Sequence, residues 1–327
     1  MTTPSIAITG ATGYIGSQLL RSLDSKGVTG VRVVARNGSG CLDAAGFEAE
    51  VVRGDILDQA SLEEAFTGID TVFHSAGLIS YTKRSRGDLY RVNVLGTRHV
   101  VDACLKAGVR RLVAVSSIAA AGASADGSPV TESAQFQDWQ HRNGYMESKH
   151  LAELEVLRGA AEGLEALMVS PGVVIGRDGG NPCSRSSSNE VLRLIYEGRI
   201  PLHPAGGTGF VDVRDVAEAL VAAWQRGKSG ERYLVVGHNL AFGELFGRIG
   251  TLRGARTRRP VPIPRVLGLM AGVGGELYSL MTGRPSFISM EAIRLAARMA
   301  SYSNTKSTEE LQVTYRPLEE TLLGAVT

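Results

Sequence analysis

The sequence predicts an α/β fold: a doubly wound parallel sheet followed by a smaller, mostly helical C-terminal substrate domain. Three observations predict it. The first half alternates short apolar, β-branched runs with stretches of helical apolar spacing, which is the pattern of a parallel sheet covered by helices on both faces. A glycine-rich turn, Thr9-Gly10-Ala11-Thr12-Gly13-Tyr14-Ile15-Gly16, separates the first apolar run from the first helical stretch. After Pro171 the alternation gives way to chain rich in Gly, Ser, Asn and Pro. The 327 residues leave room for both units and a large core.

The elements follow in order. Ser5 to Thr9 reads as the first strand and Ile15 to Leu23 as the first helix; Val31 to Ala35 and Glu50 to Arg53 are the second and third strands. Ser61, with Glu64 three residues on, has the form of a capping box for a helix through Phe66. Thr71 to His74 is a fourth strand, a helix from Leu89 to Ala107 ends at Gly108, and Arg111 to Val115 is a fifth strand. A helix from Tyr145 to about Glu162 leads to the strand Ala166 to Val169. Residues 176–190 read as a surface loop or as a flap over a pocket. Phe210 to Val213 is strand-like, Asp215 stands ahead of a helix Val216 to Trp224, and Tyr233 to Val236 is a further strand. The predicted division is a dinucleotide-binding domain over 1–175, with 211–237 packing back onto it. The substrate domain then takes 176–210 and 238–327, helical from Leu240 and interrupted by Pro260, Pro262 and Pro264.

Composition excludes several classes. Hydrophobic residues make up 43% and charged residues 21%, an ordinary globular balance. The 35 basic and 33 acidic residues leave a net charge of +2, too small an excess to point to nucleic acid. Cys41, Cys104 and Cys183 are scattered and form no CxxC pair, so neither a disulfide framework nor a thiolate metal site is expected. His74, His141 and His150 lack metal-ligand spacing and read as structural or surface histidines. The glycine turn starts too close to Met1 for a cleavable signal peptide, and no apolar run is long enough to span a bilayer. A cytoplasmic protein is the expectation.

Gly10, Gly13 and Gly16 carry the first chemical signal. Glycine permits the tight turn and lets backbone approach a pyrophosphate, which then sits at the positive end of the following helix. A plain glycine-rich connection is the alternative, but the position in the first βα unit favours a Rossmann-type nucleotide site. Gly227-Lys228-Ser229 imitates the end of a phosphate loop and fails, because Ala222 stands where that loop needs glycine. At the end of the second strand, where Asp or Glu usually meets a free ribose 2′-hydroxyl, this chain has Arg36, followed by Asn37-Gly38-Ser39. A guanidinium forks onto a 2′-phosphate and offers a hydroxyl no acceptor, which favours NADP(H) with NAD(H) as the alternative.

Tyr145 and Lys149 are four residues apart, on one face of a helix. A free phenol titrates at about 10, too high for proton exchange near neutrality. A lysine ammonium beside it, and an oxidised nicotinamide, stabilise phenolate and lower that value. Many helices carry this pair for packing alone; downstream of the glycine turn and of a strand ending in Ser116-Ser117, the catalytic reading is favoured.

These residues, together with Gly54-Asp55-Ile56-Leu57-Asp58, His74-Ser75-Ala76-Gly77, Asn93 and Ser170-Pro171-Gly172, resemble the extended short-chain dehydrogenase/reductases, the NAD-dependent epimerase/dehydratase superfamily. Phe210-Val211-Asp212-Val213-Arg214-Asp215-Val216-Ala217 is similar to the dihydroflavonol-4-reductase and 3β-hydroxysteroid-dehydrogenase-like branch, and Tyr302-Ser303 and Tyr315-Arg316-Pro317-Leu318 fall where such enzymes have their last motifs. The resemblance implies Tyr145 as acid/base, Lys149 on the nicotinamide ribose, and Ser117 on the substrate oxygen with Ser116 as runner-up. Asn93 would hold a helix bend or a water in the proton path; a helix cap or a satisfied core amide is the other reading. Gly10, Thr12, Gly13, Tyr14, Ile15 and Gly16 would form the phosphate turn. Asp55 and Ile56 would flank adenine, Ser75, Ala76 and Gly77 would line the ribose, and Pro171, Gly172 and Val174 would wall the nicotinamide. Asp55 is also an ordinary turn residue. Homodimers through the helices bearing Asn93 and Tyr145 are common in similar proteins.

The expected substrate pocket is Leu78, Ile79, Tyr81, Val173, Leu202 and Phe210, with Met290. That lining suits a small, largely apolar carbonyl or alcohol. Nucleotide-sugar epimerases and dehydratases share the catalytic trio but usually carry an Arg-Asp pair where this chain has Gly206-Gly207-Thr208-Gly209-Phe210. Arg185 and Arg193 keep that reading open. A non-catalytic dinucleotide-binding regulator is a further alternative, disfavoured because such relatives lack the tyrosine or lysine. The apolar stretch over 266–281 fits packing between domains or contact with a membrane surface, the former preferred.

Overall fold

The computed structural model describes residues 5–36, 49–124, 126–177, 186–254, 261–282 and 289–327. The strands are β1 (Ile6–Thr9), β2 (Val31–Ala35), β3 (Glu50–Arg53), β4 (Thr71–His74), β5 (Arg111–Val115), β6 (Glu165–Pro171), β7 (Val173–Ile175), β8 (Leu202–His203), β9 (Gly207–Asp212), β10 (Arg232–Val235), β11 (His238–Ala241) and β12 (Val261–Pro262). Between them run the helices α1 (Tyr14–Ser25), α2 (Gln59–Ala65), α3 (Arg86–Leu89), α4 (Gly96–Ala107), α5 (Gly144–Ala161), α6 (Ser187–Tyr196), α7 (Val213–Arg226), α8 (Phe242–Leu252), α9 (Arg265–Thr282), α10 (Met290–Ala296), α11 (Thr305–Glu309) and α12 (Leu318–Val326).

Seven strands form one parallel sheet in the order β10-β6-β5-β4-β1-β2-β3. Ile6 of β1 stands opposite Val31 on one side and Thr71 on the other. The order therefore reverses between β1 and β4, and a crevice opens beyond the carboxyl ends of those strands. Alternation along β1 assigns the two faces. Ile6 and Ile8 join Leu19, Leu20 and Leu23 of α1 and Val216 and Leu220 of α7 on one side, all buried. Ala7 lies in the other core, with Leu62, Val100, Val101 and Val156 of α2, α4 and α5. The return of α7 and β10 to this sheet follows from their apolar faces, since β10 pairs with β6 at its edge and α7 packs against α1.

The second lobe has its own core, built from Ile175, Leu192, Phe210, Leu240, Leu245, Ile249 and Leu322. It holds a three-stranded sheet in the order β11-β9-β7. Chain beyond Leu240 is thus not all helix, because β11 pairs antiparallel with β9. Leu311 and Val313 return to the first core.

Local differences from the sequence reading have local causes. The cap of α2 is Asp58, whose carboxylate accepts from the Ser61 N–H, so the helix starts before Ser61; the Ser61 hydroxyl donates to Asp58 O at 2.7 Å instead. Asp212 caps α7, which places Asp215 inside its first turn rather than ahead of it. The helix expected from Leu89 begins at Arg86 and passes through a π-helical turn, Tyr90–Leu95, before α4 ends at Gly108, which takes a φ of +73°. Most of the expected flap, and Cys41 and Cys183, lie outside the described residues. Cys104 is buried, and burial pushes its thiol up. Among the described residues no helix is long and apolar enough to cross a membrane, and no cluster of His, Cys, Asp and Glu has the makings of a metal site.

Candidate active site

The switch point is shaped by close backbone approach. Gly10 takes a φ of +75°, and a Cβ there would lie 2.6 Å from Ala76 N; one at Gly16 would lie 2.2 Å from Gly10 O. The turn therefore wraps onto the loop after β4 and onto its own helix. Gly13 is the N-cap of α1, has no side chain to satisfy the first-turn N–H groups, and is followed by no acidic residue in that turn. A helix start with no side-chain cap, and room for backbone to approach, fits a dinucleotide pyrophosphate. Tyr14 leaves this turn to donate to Gly176 O at 2.8 Å, and the buried Asn189 donates to the Tyr14 hydroxyl at 3.2 Å and to Gly176 O at 2.7 Å. Both lobes are tied together there. Beneath the turn, His74 joins Thr9 Oγ1 at 2.8 Å to Thr97 Oγ1 at 3.1 Å, and burial pushes its imidazole down to about 3, so it stays neutral. It is structural.

The next strands over carry the catalytic candidates. Ser116 and Ser117 follow β5; Tyr145 and Lys149 rise from the start of α5, which Asn143 caps through a bond from Met146 N at 3.0 Å. The two serines separate. Ser117 stands beside the Tyr145 phenol, and its hydroxyl oxygen accepts from Ala119 N at 3.1 Å. Ser116 Oγ is buried with no hydrogen-bond partner among the described residues. Lys149 Nζ donates to Val115 O at 2.9 Å. Burial raises the Tyr145 phenol above its ordinary value, with Ser117 opposing. The net direction is upward where the sequence reading expected a lowering, because desolvation disfavours the charged phenolate. Burial also pushes the Lys149 ammonium down to about 8, opposed by the Glu153 carboxylate. Tyr81 stands edge-on to Tyr145, 5.4 Å between centroids. Asn93, buried in the π turn, accepts from Leu78 N at 2.8 Å and donates to Leu78 O at 2.9 Å and Ser148 Oγ at 3.0 Å. Its amide is committed to holding the 77–78 loop against α5.

These groups open on one cavity of about 860 Å³. Gly13, Tyr14, Ile15, Ser75, Gly77, Leu78, Ile79, Tyr81, Pro171, Gly172, Val173 and Val174 line it together with Ser117, Tyr145 and Lys149. Other expected residues do not. Gly10, Gly16 and Ala76 act behind the surface through the backbone contacts above, and Thr12 lies on the turn between them. Asp55 Oδ1 accepts from Leu57 N at 3.0 Å, a turn-forming bond, and the Ile56 side chain presses on Gly96 in the core. Phe210 is a core residue, edge-on to Phe242; Leu202 lies on β8, paired with β12; Met290 packs on Gly272 of α9. None of the three lines this cavity: β9 carries Phe210 into the second lobe's core, β12 pairs with the strand of Leu202, and α9 packs on Met290. Arg36 is exposed at the end of β2. Arg193 is exposed on α6 and does not line the cavity, while Arg185 and Asn37-Gly38-Ser39 lie outside the described residues.

The sequence reading missed a whole wall: Trp139, Thr208, Phe242, Ala292, Leu295, Ala296, Arg298, Met299 and Tyr302. Only Tyr302 carried a signal, as part of a C-terminal motif; burial pushes its phenol up to about 12. Among the described residues the lining contains no Asp, Glu or His, and its cations are Lys149 and Arg298.

Comparison with known proteins fits this geometry. A model of the NAD dependent epimerase/dehydratase family matches residues 6–237. A putative dihydroflavonol 4-reductase of Synechocystis is 31% identical over 326 residues, covering 98% of this chain and 92% of that protein. Cinnamoyl-CoA reductase 1 of Oryza sativa subsp. japonica is 35% identical over 258 residues, 73% of each chain. Among solved structures, a nucleoside-diphosphate-sugar epimerase from Pseudomonas aeruginosa superposes with a TM-score of 0.77 at 26% identity, covering 99% of this chain and 96% of that one.

Proposed function

Because the chain belongs to the NAD-dependent epimerase/dehydratase family, among the extended short-chain dehydrogenase/reductases of the dihydroflavonol-reductase-like branch, we propose that it reduces the carbonyl of a small, largely apolar substrate. One observation carries the reading: a buried phenol, beside Ser117 and held above its ordinary pKa, faces a cavity whose described walls bear no acidic side chain. A phenol that stays protonated at neutral pH is a proton donor, which is the form a reduction needs.

Tyr145 gives its proton to the carbonyl oxygen as charge develops there, and Ser117 donates to the same oxygen, worth about a hundredfold or more in rate for such a donor. Lys149 keeps its charge beside them and restrains the ribose. When bound on the turn at Gly10, Gly13 and Gly16, the dinucleotide supplies the hydride that reaches the carbonyl carbon. The reverse oxidation uses the same groups with Tyr145 as base. The exposed Arg36 at the end of β2 supports a preference for NADP(H) over NAD(H).

The test is NADPH oxidation with a panel of apolar ketones and aldehydes, beside NADH and a Tyr145→Phe variant. Turnover should fall at least about a thousandfold in the variant while cofactor affinity stays within a few-fold. Unchanged turnover in Tyr145→Phe would remove the assignment. A second reading, nucleotide-sugar epimerisation, draws on the similarity to the Pseudomonas epimerase. It predicts cofactor binding without net consumption and conversion of a nucleotide sugar.

A further inference from the structure

Arg298 has no place in the chemistry above, yet its position is held from two directions. Its backbone is laid on the start of β9: Gly206 N donates to Ala296 O at 3.1 Å, Gly207 N to Arg298 O at 3.0 Å, and Ala300 N to Gly207 O at 3.1 Å. Only glycine permits this approach, because a Cβ at Gly206 would lie 2.1 Å from Arg298 O and one at Gly207 2.4 Å from Leu240 O. The glycine pair that stands in place of the epimerases' Arg-Asp pair therefore brings the end of α10 into the cavity wall. The side chain then reaches out of the second lobe onto the first, with its guanidinium carbon 3.8 Å from the centroid of the Trp139 ring. Trp139 precedes α5, the helix of Tyr145, and its neighbour Gln140 is anchored by donation to Ala121 O at 2.9 Å.

A guanidinium stacked on indole has its plane fixed and its edge N–H donors free. No carboxylate among the described residues pairs with Arg298, although Arg214, Arg232, Arg248 and Arg316 each have one. Of the described lining residues the other cation is Lys149, at the reaction centre. The wall between them is apolar or neutral, with Leu295, Ala296, Met299 and Tyr302 nearest in sequence to the arginine. Resting on the carbonyl-reductase reading, we infer that Arg298 on Trp139 is an anion subsite. The substrate carries an oxyanion, a carboxylate or phosphoester, at the end of its apolar body remote from the carbonyl. Planar, bidentate recognition is what arginine offers such groups and what lysine does not.

The test compares aromatic aldehydes bearing a carboxylate at increasing distance from the carbonyl with their methyl esters, and with the phosphate counterparts of the best acid. In the wild type, kcat/KM for the acid or the phosphate should exceed that of the ester by roughly ten- to a hundredfold, the range for a charge-assisted contact. Arg298→Met should collapse that ratio towards one through KM. Arg298→Lys should restore it only in part, and Trp139→Leu should lower it. Esters and acids turned over alike in the wild type would overturn the subsite and leave the reductase reading standing. If no aldehyde is turned over, the reductase reading falls. The subsite is then decided by calorimetric binding of the matched hydroxy acid and hydroxy ester to the cofactor-loaded protein. Tighter acid binding, lost in Arg298→Met, upholds it, and equal binding overturns it.

Discussion

Lys149 works where charge is least comfortable. Burial pushes its ammonium down to about 8, and Glu153, one turn further along α5, is the group that opposes the fall. Glu153 is itself 2% exposed, accepts from Ser170 Oγ at 3.1 Å and pairs with Arg232. On the proposed reduction, which uses the charged lysine, kcat/KM should fall as pH rises through about 8. Glu153→Gln removes the supporting carboxylate and should move that alkaline limb to lower pH, at a stability cost of about 3 kcal/mol for leaving Arg232 without its buried partner. A pH–rate profile on folded protein, checked by circular dichroism, reads the shift; a limb that stays put would mean it belongs to another group. Stability runs the other way. Between about 8 and the unfolded value of 10.5 the folded chain binds fewer protons than the unfolded one, so this group's contribution to stability rises with pH over that window. That Tyr145 and Lys149 share one face of a helix was legible in their spacing. The direction of the phenol's shift was not, because it depends on how deeply the fold buries the ring, which no local pattern encodes.

At the scale of elements, strands and long helices were legible because alternation and helical spacing report burial directly. Caps were less so. Ser61 and Asp58 both satisfy the composition of a cap, and only the observed bond from Ser61 N to Asp58 decides between them. The π turn Tyr90–Leu95 was not readable from composition or spacing, and only the family resemblance offered a helix bend at Asn93; the turn places Asn93 where one amide grips both the N–H and the C=O of Leu78 and reaches Ser148. Such turns often sit at functional sites, and here the turn sets the loop that faces Lys149, since a Cβ on Gly77 would lie 3.9 Å from Nζ. Asn93→Ala loses three hydrogen bonds, one buried and two part-buried, each worth about 1 kcal/mol net, so a stability loss of about 2–4 kcal/mol is expected. If the amide positions the loop, kcat should fall at least about tenfold, as for misplaced catalytic groups generally, with cofactor affinity changed less. Scanning calorimetry and steady-state kinetics on the variant separate the two effects. A melting shift with kcat unchanged would confine Asn93 to packing.

For the molecule as a whole, the least legible feature is that the chain closes on itself. Residues beyond 237 read from sequence as a second domain, but Leu311, fully buried, and Val313, 5% exposed, sit in the same core as Ile6, Ile8, Val211 and Tyr233. Polar contacts repeat the message. Arg226 donates to Leu311 O at 2.7 Å, Ser307 Oγ to Leu234 O at 2.8 Å, and Arg316 N to Asp215 Oδ2 at 2.9 Å, with its guanidinium on the same buried carboxylate. Nothing local in a short polar segment such as 304–317 announces this, since its long-range partners are 68 to 101 residues away in sequence. The consequence is that the first domain does not end where its last strand ends. Burying each large aliphatic side chain contributes about 1.5–3 kcal/mol, and a domain of this kind is stable by only about 5–15 kcal/mol in all. Deleting residues 305–327 strips Leu311, Val313 and the Arg316 partner of Asp215 together. It should therefore abolish cooperative unfolding of the remaining chain rather than trim the substrate cleft. Leu311→Ala grades the same effect, at about 2–5 kcal/mol, and should lower the denaturant midpoint while leaving kcat per folded molecule near the wild-type value. A truncated chain that still unfolds in one sharp transition and binds the dinucleotide would show instead that the sheet and its helices are sufficient alone, and that the C-terminal return is an attachment rather than part of the core.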